Sequence, residues 1–304
     1  MMGVVISLPM SELSLADEGG SGMYLPGSYG SLAAVPAEPG WSLALIYDHT
    51  TGAVSNAVSG NVSENSDLGY GSLTYAFKTP VLGGQLALSM GGAFGGFQMT
   101  AAGKEDSRLG YNDLVPAAVL RWAAGVHNYM VYSQGEIPVG TYDPSRLANF
   151  GIGHGAIDSG AGYTYYDTKT GYEFSAVAGL TYNLENTHTD YQNGIDAHID
   201  WGASKFLSKT FHLGLVGCYY QQLTPDHGQP AILGDFESRV AAVGPQIGYF
   251  FPIGDLEGYV NLKGYGEFAA ENRPAGWNVW LTFVISPKAP KPEVPRLGLP
   301  PFAH

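Results

Sequence analysis

The sequence predicts an all-β fold: a closed antiparallel transmembrane β-barrel of about twelve strands, with short periplasmic turns and long outer loops. Three observations predict it. Strand-like runs recur from residue 40 to residue 286, each near the ten or so residues that a tilted strand needs to cross a bilayer. Several of them alternate strictly between apolar and polar residues, as a strand with two different surroundings must. The connections alternate between short and long from first to last, which sorts turns to one end of a barrel and loops to the other. A soluble sandwich with Greek-key crossovers has no reason to sort them in this way.

Composition agrees. Charged residues make up 13% of the 304 residues, about half the share of roughly 25% typical of soluble domains. Gly accounts for 43 residues, about twice its usual share of roughly 7%. Tyr (20) outnumbers Phe (13), so the aromatic residues are mostly amphipathic. Mean hydropathy is −0.02, and no apolar run reaches the 18 or so residues of a spanning helix. A net charge of −13 argues against nucleic acid as a partner. The single cysteine, Cys218, excludes an internal disulfide and any multi-cysteine metal cage.

In chain order, the first strand, 40–49, is followed by the polar connection TTGAVSNAVSGNVSENSD and a second strand, 68–78. The turn TPVLG leads to 84–96, and FQMTAAGKEDSRLGYN leads to 113–123. An AG turn opens 126–138, and VGTYDPSRLANFGIGHGAI runs on to 158–167. DTKTG turns into 172–184, ENTHTDYQN leads to 194–206, and LSKT turns into 211–224. PDHGQPAILGDFES then reaches 239–251, PIGD turns into 256–268, and AAENRPA leads to the last strand, 276–286. An even number of strands leaves both termini on the side of the short turns.

The faces follow from parity. In LEGYVNLKGYGEF, Leu256, Val260, Leu262 and Phe268 alternate with Glu257, Tyr259, Asn261, Lys263, Tyr265 and Glu267. In the last strand Trp277, Val279, Leu281, Phe283 and Ile285 form one apolar stripe. Ile195, Ala197, Ile199, Trp201 and Ala203 oppose Asp196, His198 and Asp200, and Phe174, Leu180 and Tyr182 oppose Glu173, Ser175, Thr181 and Asn183. Apolar stripes are assigned to lipid and polar ones to the lumen, which makes Arg121, Glu136, Glu173, Asp196, His198, Asp200, Glu257, Lys263 and Glu267 the expected lumen-lining charges. Strands 126–138, 158–167 and 211–224 alternate poorly, and apart from Glu136 their residues receive no face. Aromatic residues crowd the strand ends (Trp41, Phe77, Trp122, Tyr165, Tyr172, Phe206, Phe211, Tyr249, Phe250, Phe251, Tyr259 and Trp277), where an apolar body with a polar edge suits the membrane boundary.

Outside the barrel (40–286) lie three segments. Residues 1–16 resemble the end of a secretory signal, with Ser14-Leu15-Ala16 as a small-x-small cleavage site, although no Lys or Arg precedes it and the apolar stretch is short. The expectation is a leader whose first part is encoded upstream. Residues 17–39 are too broken by Gly and Pro for a strand and are expected to plug the lumen or lie in the periplasm. Residues 287–304 are Pro-rich and expected to be extended and disordered.

No catalytic constellation stands out. Asp196, His198 and Asp200 share one strand face, but same-face neighbours lie nearly 7 Å apart along a strand, so a metal would need ligands from elsewhere. The glycine-rich GIGHGAIDSG lacks the strand–helix context of a phosphate loop. The histidines are scattered, and the His-x-Ser-Asn-Gly run of outer-membrane phospholipase is absent. No catalytic residue, metal or cofactor is expected.

Long ordered stretches carry a family resemblance: YLPGSYGSLAAVPAEPGWS, GVHNYMVYSQGEIPVGTYDPSRLANFGIGHGAIDSGAGYTYYDTKTGYEFSAVAGLTYN, DYQNGIDAHIDWGASKFLS, and GDFESRVAAVGPQIGYFFPIGDLEGYVNLKGYGEFAAENRPAGWNVWLTFVISP. Together, from about Tyr24 to Pro287, the chain resembles the MetA-pathway phenol-degradation family of bacterial outer-membrane proteins. That resemblance implies a barrel that transports hydrophobic or aromatic compounds, and it carries no catalytic residues. The Pro-rich tail beyond Phe283 departs from the pattern in which the last strand ends at an aromatic residue read by the barrel-assembly machinery.

The expected function is passive uptake of small hydrophobic or aromatic solutes across the outer membrane, with lipid around the barrel and no energy source. The alternatives are a structural or loop-binding barrel with a closed lumen, and a barrel hydrolase.

Overall fold

The computed structural model describes residues 22–56, 60–101, 103–228 and 237–288. The signal-like segment 1–16 and nearly all of the Pro-rich tail lie outside the described residues. Fifteen strands and no helix form among the described residues: β1 (Gly40–Asn56), β2 (Gly60–Ala76), β3 (Gln85–Ala101), β4 (Lys104–Tyr111), β5 (Val115–Ala124), β6 (His127–Glu136), β7 (Ala156–Asp167), β8 (Tyr172–Asn183), β9 (Tyr191–Gln192), β10 (Asp196–Phe206), β11 (Phe211–Gln222), β12 (His227–Gly228), β13 (Arg239–Ile253), β14 (Leu256–Glu271) and β15 (Ala275–Pro287).

Twelve of them close on themselves. The order runs from β2 through β1, β15, β14, β13, β11, β10, β8, β7, β6 and β5 to β3, and β3 pairs back to β2. Every pairing is antiparallel, and the seam between the first and last strands runs from Leu43↔Ile285 to Ala53↔Ala275. Closure leaves no unpaired strand edge in hydrocarbon. β4 pairs only with the outer half of β3, from Phe94↔Tyr111 to Ala101↔Lys104, whereas β5 pairs with its inner half. The short β9 and β12 pair with each other above the wall.

Two stretches expected to be loops are strand instead. TTGAVSNAVSGNVSENSD continues β1 and β2 as one long hairpin, with Thr51↔Asn65 and Val54↔Val62 in register. FQMTAAGKEDSRLGYN holds the end of β3 and all of β4. Their side chains are mostly polar because these hairpins stand above the lipid, where backbone pairing persists without an apolar stripe.

The outer face of the wall is apolar. Ile247, Leu262, Leu281 and Tyr47 sit side by side on four adjacent strands. Each is 44–47% exposed. A contiguous exposed apolar belt of this kind is the mark of a surface solvated by lipid. With the closed antiparallel wall, it makes this an outer-membrane barrel. Aromatic residues border the belt at the turn end, where Trp41 packs on Tyr75 and Tyr75 on Phe77 (ring centroids 4.9 Å apart in both pairs), and Tyr249 stacks on Phe251.

Three of the aromatic residues expected in that boundary face the other way. Phe206, Phe250 and Tyr259 turn into the barrel, where Phe206 stacks on His212 and Phe250 on Tyr259 at 4.8 and 4.3 Å. Parity explains it: Phe206 lies on the same face of β10 as His198, and Tyr259 on the same face of β14 as Lys263.

Candidate functional site

Residues 22–39 run inside the barrel, from its outer half to the turn end, where Gly40 opens β1. Glycine permits the path at two points. Gly27 has a φ of +90°, and a Cβ there would lie 2.9 Å from the Tyr265 ring. On the wall, a Cβ at Gly202 would lie 2.8 Å from the Ser31 nitrogen, so its missing side chain lets the segment's backbone approach β10.

The wall holds this segment mainly through its polar side chains. Asp200 accepts from the Tyr24 hydroxyl and from the backbone amides of Gly27 (3.0 Å) and Tyr29 (2.8 Å). Glu173 accepts from the Leu32 amide at 2.9 Å, and Thr164 from the Ala34 amide at 3.0 Å. From the cationic side, Arg121 donates to the Ala33 carbonyl at 3.2 Å, and Lys263 donates to the carbonyls of Gly27 and Ser28. Ser31 and Ser204 pair through their hydroxyls at 2.8 Å, and Gln246 donates to both. Gln85 closes the turn end by bonding both the amide and the carbonyl of Ala37. The segment's own backbone forms no ladder, so these side chains satisfy polar groups that would otherwise be buried without partners.

Small apolar clusters complete the packing. Ala34 meets Met130, Tyr132 and Val177, while Tyr24 meets Tyr220 and Val240. This explains why β6 and β11 alternate poorly in sequence. Their inward positions include Met130, Tyr132, Val216, Cys218 and Tyr220, all buried, because they face protein instead of water.

The nine expected lumen charges have different surroundings. Arg121, Glu173, Asp200 and Lys263 bind residues 22–39 directly. His198 stacks on the Tyr24 ring at 3.4 Å, and its Nε2 lies 3.0 Å from both Asp158 and the Tyr132 hydroxyl. Asp196, four residues from Asp200, accepts from Asn183 at 3.0 Å. The shared face of β10 therefore serves three separate contacts, and among the described residues no group of acids, histidines or cysteines is spaced to hold a metal ion. Glu136 is buried at the outer end of β6 beside Asp113. Glu267 accepts from the Gly276 amide at 2.9 Å. Glu257 lies half-buried at the turn end of β14. Asp158, Tyr132, Gln246 and Ser204 escaped the sequence reading, the first two because their strands received no face.

Above the segment a cavity of about 140 Å³ remains, floored by Tyr24, Leu25 and Pro26. Its walls come from β1, β2, β3, β11, β14 and β15, and the connection after β6 contributes Asn149, Phe150 and Ile152. That connection is fixed by two carboxylates. Asp113 accepts from the amides of Gly140 (2.6 Å) and Ile152 (2.8 Å). Asp106 binds the Arg146 guanidinium and accepts from the amides of Leu147 and Ala148.

The family model described as "Putative MetA-pathway of phenol degradation" matches residues 47–283. The chain belongs to that family. Among proteins of curated function, none matches it in sequence. Among solved structures, this family member is similar to an outer membrane channel from Pseudomonas putida F1, at 16% identity and a TM-score of 0.72, over 86% of this chain and 99% of that one. The translocator domain of the autotransporter NalP from Neisseria meningitidis is also similar, at 10% identity and a TM-score of 0.48, over 84% and 91% of the two chains. The first of these likenesses supports the fold.

Proposed function

We propose that this barrel is a channel for passive passage of small hydrophobic or aromatic compounds across the outer membrane, with residues 22–39 as its removable closure. The observation that carries the proposal is the way the segment is held. It adds no strand to the wall, and hydrogen bonds fasten it to wall side chains: its amides donate to Asp200 and Glu173, and Lys263 donates to its carbonyls. Such contacts can be exchanged for water one by one, whereas a paired strand cannot leave without opening the wall. The aromatic lining of the outer cavity, with Phe97, Phe150, Tyr220 and Trp280, suits a ring-bearing solute, and the family's association with phenol degradation points to the same class.

The test uses a reversible lock. Ser31→Cys with Ser204→Cys replaces two hydroxyls 2.8 Å apart with thiols, and the native Cys218 is buried. In planar bilayers the oxidised variant is expected to conduct less than the reduced one, with conductance restored by reductant. In cells, a null strain is expected to take up an aromatic growth substrate more slowly, with rescue by the reduced variant and not the oxidised one. Equal conductance in both redox states, with uptake unchanged in the null strain, would favour a barrel that stays shut.

A further inference from the structure

We infer that the outward face of β1, β2 and β3, at the upper edge of the lipid belt, is a binding site for the sugar headgroup of an outer-leaflet glycolipid. This goes beyond the passage proposed above and does not depend on it. Exposed apolar side chains flank the patch on both sides. Phe94 on β3 with Leu109 and Tyr111 on β4 lie to one side, Phe268 on β14 and Trp277 on β15 to the other, each 50–69% exposed. Between them β1 and β2 turn His49 and Asp67 outward as register partners, and Asp67 is paired in turn with Gly96 of β3. On β1 the same face continues into the belt through Tyr47, Leu45 and Leu43, so the patch and the lipid surface form one interface.

Asp67 supplies the deciding observation. Its side chain is 55% exposed on the outside of the barrel. The Tyr47 hydroxyl donates to its Oδ1, and His49 Nδ1 bonds the same oxygen at 2.9 Å. Both contacts fall on one oxygen, so the carboxylate keeps acceptor capacity for a donor from outside. A carboxylate between apolar groups that face lipid is costly unless a polar group of the lipid meets it. There is room for one: a Cβ at Gly96, beside Asp67, would meet nothing within 4 Å. The His49 ring lies 5.2 Å from the Trp277 ring, which joins the polar cluster to the aromatic rim.

The neighbouring side chains select a sugar. One outward position further from the belt, Thr51, Asn65, Gln98 and Ser107 stand in register across β1 to β4. At the usual strand spacing that row is about 14 Å long, more than a compact headgroup covers. Asn65, Gln98 and Ser107 are exposed, and Gln98 donates to Glu105 at 2.6 Å. Amides and hydroxyls both donate and accept, as sugar hydroxyls do, whereas an ammonium only donates. No lysine or arginine occurs in β1, β2 or β3, which disfavours phosphate as the group recognised. Trp277, the register partner of Thr51, ends the row with a ring whose negative face suits the C–H edge of a sugar.

The experiment is native mass spectrometry of the full chain in a sugar-free detergent, with an equimolar mixture of three lipids of the same acyl chains. These are diglucosyldiacylglycerol, phosphatidylglycerol and phosphatidylethanolamine. The glycolipid is expected to be retained about fivefold over either phospholipid, the worth of one net hydrogen bond. Asp67→Ala with Asn65→Ala should remove that preference, and Asp67→Asn, which keeps an acceptor, should retain most of it. Leu213→Ala, on the outward face of β11, should leave it unchanged, with heat-modifiable migration on gels confirming that each variant is folded. Equal retention of the three lipids would overturn the proposal, as would a preference that survives the double variant. A preference for phosphatidylethanolamine that is lost in Asp67→Asn would assign the patch to an ammonium. Dimers that the double variant dissociates would assign it to a second copy of the chain. Either result would overturn the sugar site.

Discussion

Asp200, in the middle of β10, accepts a 2.8 Å hydrogen bond from the backbone amide of Tyr29, a residue 171 positions earlier in the chain. The same carboxylate takes the Gly27 amide and the Tyr24 hydroxyl. Hydrogen bonds to a charged partner are worth about 1.5–3 kcal/mol each. Asp200→Asn should keep the barrel but weaken the hold on residues 22–39. Faster hydrogen exchange at Gly27 and Tyr29, with higher conductance, is the expected outcome; protection equal to that of the unmodified chain would count against this anchor.

Gly202 offers a steric test of the same contact. Valine suits a strand, but its Cβ would sit 2.8 Å from the Ser31 nitrogen and 3.0 Å from its hydroxyl oxygen. Gly202→Val should therefore displace the segment while the wall stays paired, and Ala203→Val, on the outward face, should not. Exchange at Ser31 in the two variants distinguishes them.

The two faces of β14 respond differently to substitution. Leu262 is 45% exposed toward lipid, and a cationic residue at mid-bilayer costs roughly 2–4 kcal/mol, so Leu262→Arg should reduce assembly. Lys263→Leu should assemble and remain heat-modifiable. Because Lys263 holds the Gly27 and Ser28 carbonyls, that variant should also conduct more. Equal assembly of both variants would contradict the assigned faces.

Above the membrane, the Arg146 side chain, and with it the Ala148 and Leu147 amides, holds Asp106 down at about 2. A carboxylate with a depressed folded-state pKa contributes stability that is fully present above its unfolded value of about 3.9. That contribution is lost as pH falls through about 2. The amide resonances of Leu147 and Ala148 in micelles should thus hold steady at pH 4 and move near pH 2. At neutral pH, Asp106→Asn should speed trypsin cleavage after Arg146. A transition near pH 4 would contradict the pairing.

All twelve wall strands were legible in the sequence because lipid on one side imposes an apolar stripe and the turns differ so clearly in length from the loops. The outer half of the β1–β2 hairpin was not, since Thr, Ser and Asn carry no two-fold signal once lipid is absent. The faces of β6 and β11 were hidden because Met130, Tyr132, Val216 and Tyr220 pack against residues 22–39. The contacts of Asp200 and Lys263 could not be foreseen either: parity turns both inward, but their partners lie 171 or more residues away in the chain. His49 was within reach, sharing its face of β1 with the outward Leu43, Leu45 and Tyr47, whereas Asp67 and Gln98 fell in stretches read as loop.

The attachment of residues 22–39 to the first strand sets them far in sequence from the groups that hold them. The segment leaves the ribosome before every strand that fastens it, and its anchors on β8, β10 and β14 lie up to 236 residues later. Contacts of such long sequence separation form late. The full set of its partners therefore exists only once β14 has been made, the strand that carries Lys263. If the segment is the closure proposed above, slow seating would register as a transient leak in the host envelope.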